Sequence, residues 1–434
     1  MPDDAIAMLL GGEVPVLDGV DLSAAGLGER VNDAPWWDRV RGGVRLAGRD
    51  LSGARLKGTD LTRADLRGTT LSGASGSGVT LSHAWLEEAR LVGADLIGGV
   101  LTGVDAGEAN FSDALLEDAD LQHARLRFAS FEGAVMDGAN FTGADLWGAR
   151  LQRVEAERAC FKDARLDEAQ LQDADLAQAD LTGATLRRAQ LGGANLRGAT
   201  LRETTLDGAD LTGADLTGAV LPHVSLSSCR LTHIRVAGAW LERTRMQAHQ
   251  LGGAIGEELA GEFEAAREGY IVLEQNFRTL GSADDERWAF LRRRRMGKRL
   301  HAARARTALT RRDWGAGLAL GLRWAGDEVA EWLCDYGESV NRVLRAFLCV
   351  LLIFAALYWL TGSLIPREGA HDGVRFEAID YLLFSLDSMT TVGTSEVGLR
   401  PGGQLGVLLS SLQTVLGTVL LGLFGFVLGV RMRN

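Results

Sequence analysis

Ala189–Leu216 reads AQLGGANLRGATLRETTLDGADLTGADL, and leucine occupies every fifth position of it: Leu191, Leu196, Leu201, Leu206, Leu211 and Leu216. Followed outward, the same phase runs from Leu46 to Leu251, with Leu, Phe, Val or Met at every step except Gly76, Ala106 and Ala156. Two residues before these positions stands Ala, as at Ala64, Ala84, Ala94, Ala144, Ala174 and Ala214, with Thr, Val or Cys229 as occasional substitutes. Asp, Asn or Thr sits between the two, and polar pairs such as ThrGly or ArgGly follow. A period held that long marks a solenoid. Side chains return to one face about every 3.6 residues in a helix and about every 2 in a strand, so neither can use a period of five.

The pattern resembles the pentapeptide repeat family, whose unit is Ala-Asp/Asn-Leu followed by two polar or small residues. The resemblance covers nearly half of the chain and implies a right-handed quadrilateral parallel β-helix with four repeats to a coil. The large and the small residue would both point inward, as a narrow core filled alternately by large and small side chains requires. Roughly 40 repeats give about ten coils, a rod about 50 Å long at ~4.8 Å per strand. Small inward residues at Gly76, Ala106 and Ala156 predict local kinks or bulges, or a binding notch. Residues 1–45 read as a cap or lead-in, and 46–255 as the β-helix.

Residues 1–250 hold 36 acids and 25 bases, a difference of 11 that equals the formal net charge of −11, so the remainder of the chain balances. An acidic rod suits solubility. It also resembles pentapeptide repeat proteins that bind DNA gyrase by imitating DNA, so a gyrase-binding role stands as a further reading. Nucleic acid itself is not an expected partner.

Beyond Leu251 the period of five fails. Leu259, Phe263, Ala266, Tyr270, Leu273, Phe277 and Leu280 fall alternately four and three apart, an apolar helix seam. Gly281 is placed to end that helix and Ser282 to cap the next, with Asp284, Asp285 and Glu286 in its first turn. The second helix carries Trp288, Phe290, Leu291 and the basic run Arg292–Arg295, Lys298, Arg299, Arg304 and Arg306. That run faces either anionic lipid headgroups or the acidic rods of adjacent subunits. Trp314–Gly337 reads as an amphipathic interfacial helix anchored by Trp314, Trp324 and Trp332. Residues 256–340 are therefore expected to be an α-helical coupler.

Residues 341–434 hold two charge-free apolar runs, Ala346–Ile365 and Gly402–Val430, each of the ~20 residues that a spanning helix needs. Between them Ala378–Met389 is apolar but too short to span, as a re-entrant half-helix would be. The irregular stretch TTVGTSE at Thr390–Glu396 would then have to line a water-filled path. Arg342 and Arg345 before the first run, and Arg431 and Arg433 after the second, place both flanks in the cytoplasm by the positive-inside rule. The surroundings of Met1 are acidic, so the N-terminal part is expected to stay there too.

Thr390, Thr391, Val392, Gly393 and Glu396 resemble the TTVGYGD signature of the potassium channel pore. The resemblance implies a homotetramer in which carbonyls of Thr391, Val392, Gly393 and Thr394 replace the hydration shell of potassium ions, with Ser395 completing the filter. Thr394 stands where that family has an aromatic residue and Ser395 where it has the second glycine. These departures predict a wider or more mobile outer filter, leaving open potassium selectivity or a non-selective cation pore. Asp387 and Glu396 either share a proton behind the filter or face the outer vestibule. Gly417 reads as a gating hinge or as a packing position, and Gly422, Gly425 and Gly429 read as packing positions.

Cys160, Cys229, Cys334 and Cys349 lack paired spacing, in keeping with a reducing cytoplasm and a membrane helix. His223, His233 and His249 do not stack at the coil repeat, so no metal site is expected. No nucleophile, phosphate loop or dinucleotide fingerprint is present, so neither enzymatic activity nor a cofactor is expected. The expected whole is a two-span cation channel of a bacterial-type inner membrane, in contact with lipid. Its rod would gate the pore or bind an unknown cytoplasmic protein. A membrane-anchored scaffold with a degenerate pore is the alternative.

Overall fold

The computed structural model describes residues 18–19, 37–38, 42–366, 377–390 and 399–433. The chain divides into two compact units, Met1–Met296 and Gly297–Asn434. In the first, short antiparallel strands β1 (Trp37–Asp38) and β2 (Gly43–Val44) precede the repeats. From there each pentapeptide turns one corner of a coil. In a representative corner the Leu51 carbonyl accepts from Ala54 N at 3.0 Å, with Gly53 between them at φ 67°, the geometry of a type II turn.

Coils join through parallel bridges between residues twenty apart, such as Asp175↔Asn195 and Asn195↔Asp215. The corner at Leu191 shows how the backbone is satisfied. Leu191 N reaches Asp210 O at 2.7 Å, Gly193 N reaches Thr212 O at 2.9 Å, and Asp210 N reaches back to Ala189 O at 3.0 Å. Leu191 and Ala189 are both fully buried, confirming the inward large and small residues. Phenylalanines stack coil on coil at two opposite corners: Phe111 on Phe131 at 4.8 Å and Phe141 on Phe161 at 4.9 Å between ring centroids.

The Asp or Asn before each leucine has a local task. Asp210 Oδ1 accepts from Thr212 N at 3.0 Å and Asn195 Oδ1 from Arg197 N at 3.2 Å, an Asx turn that holds the corner shut. The third residue of each turn must adopt positive φ, and here glycine is not obligatory. Arg63, His83, Asp113, Phe128 and Asp163 all stand there at φ between 54° and 58°, a cost of about 1–2 kcal/mol each. The same corner one coil later is often glycine, and the side chain leans over it. A Cβ on Gly183 would lie 2.3 Å from Asp163 Oδ1, and one on Gly148 would lie 2.7 Å from the Phe128 ring.

No bulge forms at the three small inward residues. Gly76 N, Ala106 N and Ala156 N keep their ladder bonds at 2.7, 2.8 and 2.8 Å, because the backbone ladder, not the inward side chain, sets the coil. The irregularity lies elsewhere. Bridges form at Thr200↔Val220 and Asp210↔Arg230, but the intervening pair Thr205 and Ser225 does not meet. Gly208 N turns to the Ser228 hydroxyl at 3.0 Å, and Cys229 Sγ donates to Leu206 O at 3.0 Å. Burial pushes the Cys229 thiol up to about 11. The gap is a groove of 560 Å³ lined by Arg202, Glu203, Asp207 and His223.

The last coil ends in backbone groups with no further coil to meet. A one-turn helix α1 (Gly256–Leu259) supplies the acceptors: Glu257 Oε1 takes Val236 N at 2.7 Å and Ala237 N at 2.8 Å. Gly261, at φ 74°, separates α1 from α2 (Phe263–Leu280). Leu259 thus stays exposed and is not part of the expected seam. Of the rest of the seam, Ala266, Tyr270, Leu273 and Phe277 are fully buried and join the rod's own core, with Phe263 and Leu280 half-buried against it. Asn276 pairs with both backbone groups of Thr244, at 3.1 and 2.9 Å. Gly281 ends α2 in the left-handed conformation, and α3 (Ala283–Thr310) begins directly after Ser282. Arg292 of α3 grips Glu258, and Arg293 grips Glu274. Residues 256–296 therefore pack as the rod's own lid, within the first compact unit.

Burial holds the Glu257 carboxyl above its ordinary value of 4.5 despite its backbone donors. A raised carboxyl binds its proton more tightly when folded, so the fold gains stability as pH falls through that raised value toward 4.5. Glu257→Gln, which keeps the acceptor without the charge, is expected to raise the thermal midpoint at pH 7 and to remove this pH dependence. Glu257→Ala leaves two buried N–H groups without an acceptor and is expected to cost about 1–3 kcal/mol. Circular dichroism melts of the full chain at pH 7 and pH 5 measure both.

Candidate functional site

The second unit holds α4 (Trp314–Cys334), α5 (Val340–Thr361), strand β3 (Leu364–Pro366), α6 (Ala378–Thr390), strand β4 (Leu399–Pro401) and α7 (Gly403–Arg433). Helices α5 and α7 are long and apolar enough to cross a membrane, and their most apolar windows are only 33% and 17% buried. A helix in the core of a soluble domain would hide most of that surface. The first apolar run does not reach Ile365 as a helix. Gly362 adopts φ 57° and stops it, and Ile365 belongs to β3.

Three side-chain layers fix how these helices lie. At one end Val343 meets Val427 and Cys334. In the middle Ala346 and Leu351 meet Met389 and Leu420. At the other end Phe354, Tyr358 and Leu364 meet Phe384 and Leu399. Strands β3 and β4 pair antiparallel there, Ile365 opposite Arg400, and tie the end of α5 to the start of α7.

Helix α6 therefore runs inward from the β3–β4 end and stops level with Leu351, the twelfth of the 22 residues of α5. Its 13 residues span about 20 Å at ~1.5 Å each, against about 33 Å for α5. Leu399, where the described chain resumes, is back at the starting level beside Leu364. Helix α6 thus lies along only part of the length of α5 and α7.

A buried polar chain ties the three helices. Tyr358 of α5 donates to Gln413 Oε1 of α7 at 2.9 Å. Gln413 Nε2 donates to Ser385 O of α6 at 3.0 Å, and the Ser385 hydroxyl donates to Leu351 O at 2.8 Å. All three side chains are fully buried. Such an amide inside apolar helices is satisfied only by partners on its neighbours. Sequence reading missed Tyr358, Ser385 and Gln413. The signal available was Gln413 itself, an amide in the middle of an apolar run.

Of the sequence-selected residues, Thr390 is the last residue of α6, its hydroxyl on Leu386 O at 2.9 Å, and Asp387 lies one turn before the end. Thr391, Val392, Gly393, Thr394, Ser395 and Glu396 lie outside the described residues. Gly417 faces the end of α6, where an added Cβ would meet Met389 O at 2.3 Å. Close packing thus requires glycine at this position. Gly422, Gly425 and Gly429 have nothing within 4 Å of an added Cβ, so the packing expected of them is not found among the described residues.

The second unit also shows what part of the basic run does. Lys298 pairs with Glu328 and Glu331 of α4 at 2.9 and 2.5 Å, and His301 Nδ1 meets Asp327 at 3.1 Å. These groups are engaged within the chain. Trp314, Trp324 and Trp332 are exposed, as interfacial anchors would be. Among the described residues no cluster of His, Cys, Asp and Glu is arranged to hold a metal ion.

Comparison with known proteins bears on the first unit. A family model described as pentapeptide repeats matches in eight copies, over residues 42–75, 77–113, 119–155, 159–198 and 194–232. No curated protein matches. Among solved structures, the chain is similar to HetL, a pentapeptide repeat protein involved in heterocyst differentiation regulation in the cyanobacterium Nostoc. The identity is 26% over 53% of this chain and 94% of that one, with a TM-score of 0.41. A pentapeptide repeat protein of the Arabidopsis thaliana thylakoid lumen is 36% identical over 27% of this chain and 67% of its own, with a TM-score of 0.19. A plasmid-mediated fluoroquinolone resistance protein is 18% identical over 50% of this chain and 96% of its own, with a TM-score of 0.27.

Gly417→Ala is expected to drive α7 off the end of α6 and lower the thermal midpoint of the detergent-solubilised protein by several degrees, whereas Gly422→Ala is expected to leave it unchanged. Gln413→Leu removes the acceptor of the Tyr358 hydroxyl and the donor to Ser385 O and is expected to cost about 1–2 kcal/mol. Tryptophan-fluorescence melts of the three variants measure these effects.

Proposed function

We propose that this pentapeptide-repeat protein is a membrane cation channel in which four copies of the second unit surround one pore. The observation that carries the reading is the partial-depth helix α6, held between two membrane-length helices by the Gln413 chain and ending at mid-span. The next residues of the sequence are Thr391, Val392, Gly393, Thr394 and Ser395, and from that depth their carbonyls would line the path of the ion. One chain supplies a quarter of such a ring, hence a homotetramer. Asp387 and Glu396 would bracket the filter, Thr390 would support it from the end of α6, and potassium is the ion the TVG segment suits.

The flanking Arg342 and Arg345 favour a cytoplasmic position for that end of α5. In a bacterial-type inner membrane both termini and the rod would then be cytoplasmic. The rod offers a long polar surface for a gating or partner protein.

Liposomes containing the purified chain are expected to pass potassium, and Gly393→Asp is expected to abolish the flux. Potassium without sodium means that Thr394 and Ser395 preserve a selective carbonyl cage, and equal fluxes mean a non-selective pore. If wild type and Gly393→Asp behave alike, the membrane unit is an anchor for an interaction scaffold. Mass photometry in detergent is expected to give four copies, and a monomer would exclude the shared pore.

A further inference from the structure

Where α4 meets the start of α5, the chain leaves a cavity of 360 Å³ walled by Trp332, Arg342, Arg345, Ala346 and Cys349. The geometry points to a seat for the phosphate of an anionic phospholipid, a reading that rests on α5 being a membrane span.

The two arginines differ in freedom. Arg342 is fixed: it donates to Glu331 O at 2.6 Å and lies 3.5 Å from Asp335 Oδ2, so its guanidinium is held at the cavity wall by α4 and the residue that follows it. Arg345, one turn on, makes a single long bond to Asn341 O at 3.4 Å and has no carboxylate within ion-pair distance among the described residues. One guanidinium is thus oriented in advance and a second is available, an arrangement that favours a singly charged phosphate diester over a zwitterionic headgroup with its own cation.

The remaining walls suit a lipid better than a soluble anion. Trp332 is 58% exposed, an indole at the lip of the cavity where amphipathic rings anchor at the headgroup level. Below Arg345, the same side of α5 presents Cys349, Leu352 and Ile353, all exposed and apolar. Leu352 is 49% and Ile353 57% exposed, a track along which an acyl chain can lie once the phosphate is seated. Arg342 and Arg345 precede the apolar run, so phosphate and chain would sit at the depths a bilayer gives them. A free phosphate would use the arginines and leave the track bare.

The test uses the full chain, delipidated in detergent, with phosphatidylglycerol or phosphatidylcholine added and bound lipid counted by native mass spectrometry. Phosphatidylglycerol is expected to bind more tightly than phosphatidylcholine. Arg345→Gln is expected to weaken it about fivefold, and Arg345→Lys to hold it within about twofold, since a charge near the surface carries most of the attraction. Among the described residues Arg345 makes only the long bond to Asn341 O, so the variant is expected to keep the wild-type melt. Equal binding of both lipids, or wild-type affinity in Arg345→Gln, overturns the site. So does displacement of the lipid by inorganic phosphate at similar concentration, which would assign the arginines to a soluble anion. In parallel, vesicles carrying the protein are washed with alkaline carbonate. Retention without selective lipid binding removes the site but keeps the span; release into the wash removes both.

Discussion

Everything in the first unit depends on a backbone that no coil can satisfy alone. Each corner exposes donors and acceptors that are met only by the corner twenty residues away, so a coil is stable to the extent that another lies on it. The leucine and alanine of each repeat fill the narrow interior, and the aspartate or asparagine keeps the corner closed. The bonds between coils decide the period. That is why small residues at Gly76, Ala106 and Ala156 leave the ladder unbroken, while the changed turn at Ser228 and Cys229 interrupts it.

The same dependence explains the lid. A ladder that stops must hand its last donors to something else, and Glu257 and Asn276 receive them inside an apolar surround. An anionic carboxylate is a strong acceptor for such donors and a costly group to bury. In the second unit the problem is inverted. There the backbone is satisfied within each helix, and the side chains of Tyr358, Ser385 and Gln413 carry the contacts between helices.

The repeat was legible in the sequence because one short unit recurs some forty times, so even a weak local preference adds up to an unmistakable phase. The helices after Leu251 were legible from apolar spacing, but their allegiance was not. Nothing in the seam of Ala266, Tyr270, Leu273 and Phe277 says that it covers the last coil, since that depends on where an open end lies in space. Gly417 showed the same limit. Spacing alone left a bend and a close approach equally open, and the approach became visible only against the Met389 backbone. Left-handed residues such as Arg63 and Phe128 were hidden for a different reason: the ladder over-determines the turn, so that local preference for glycine is overridden.

Stacking at twenty residues also makes the rod a counter of its own length. Four pentapeptides return the chain to the same azimuth, so a gain or loss of one whole coil moves everything beyond it along the axis without turning it. A gain or loss of a single pentapeptide keeps every leucine inward and yet rotates all later coils by one face. Placed between His83 and Gly103, such a change would part that pair, and the lid would close the end from a different side. Repeat number in such a chain is therefore a coordinate in two senses, a distance and a heading, and only multiples of four change the first while preserving the second.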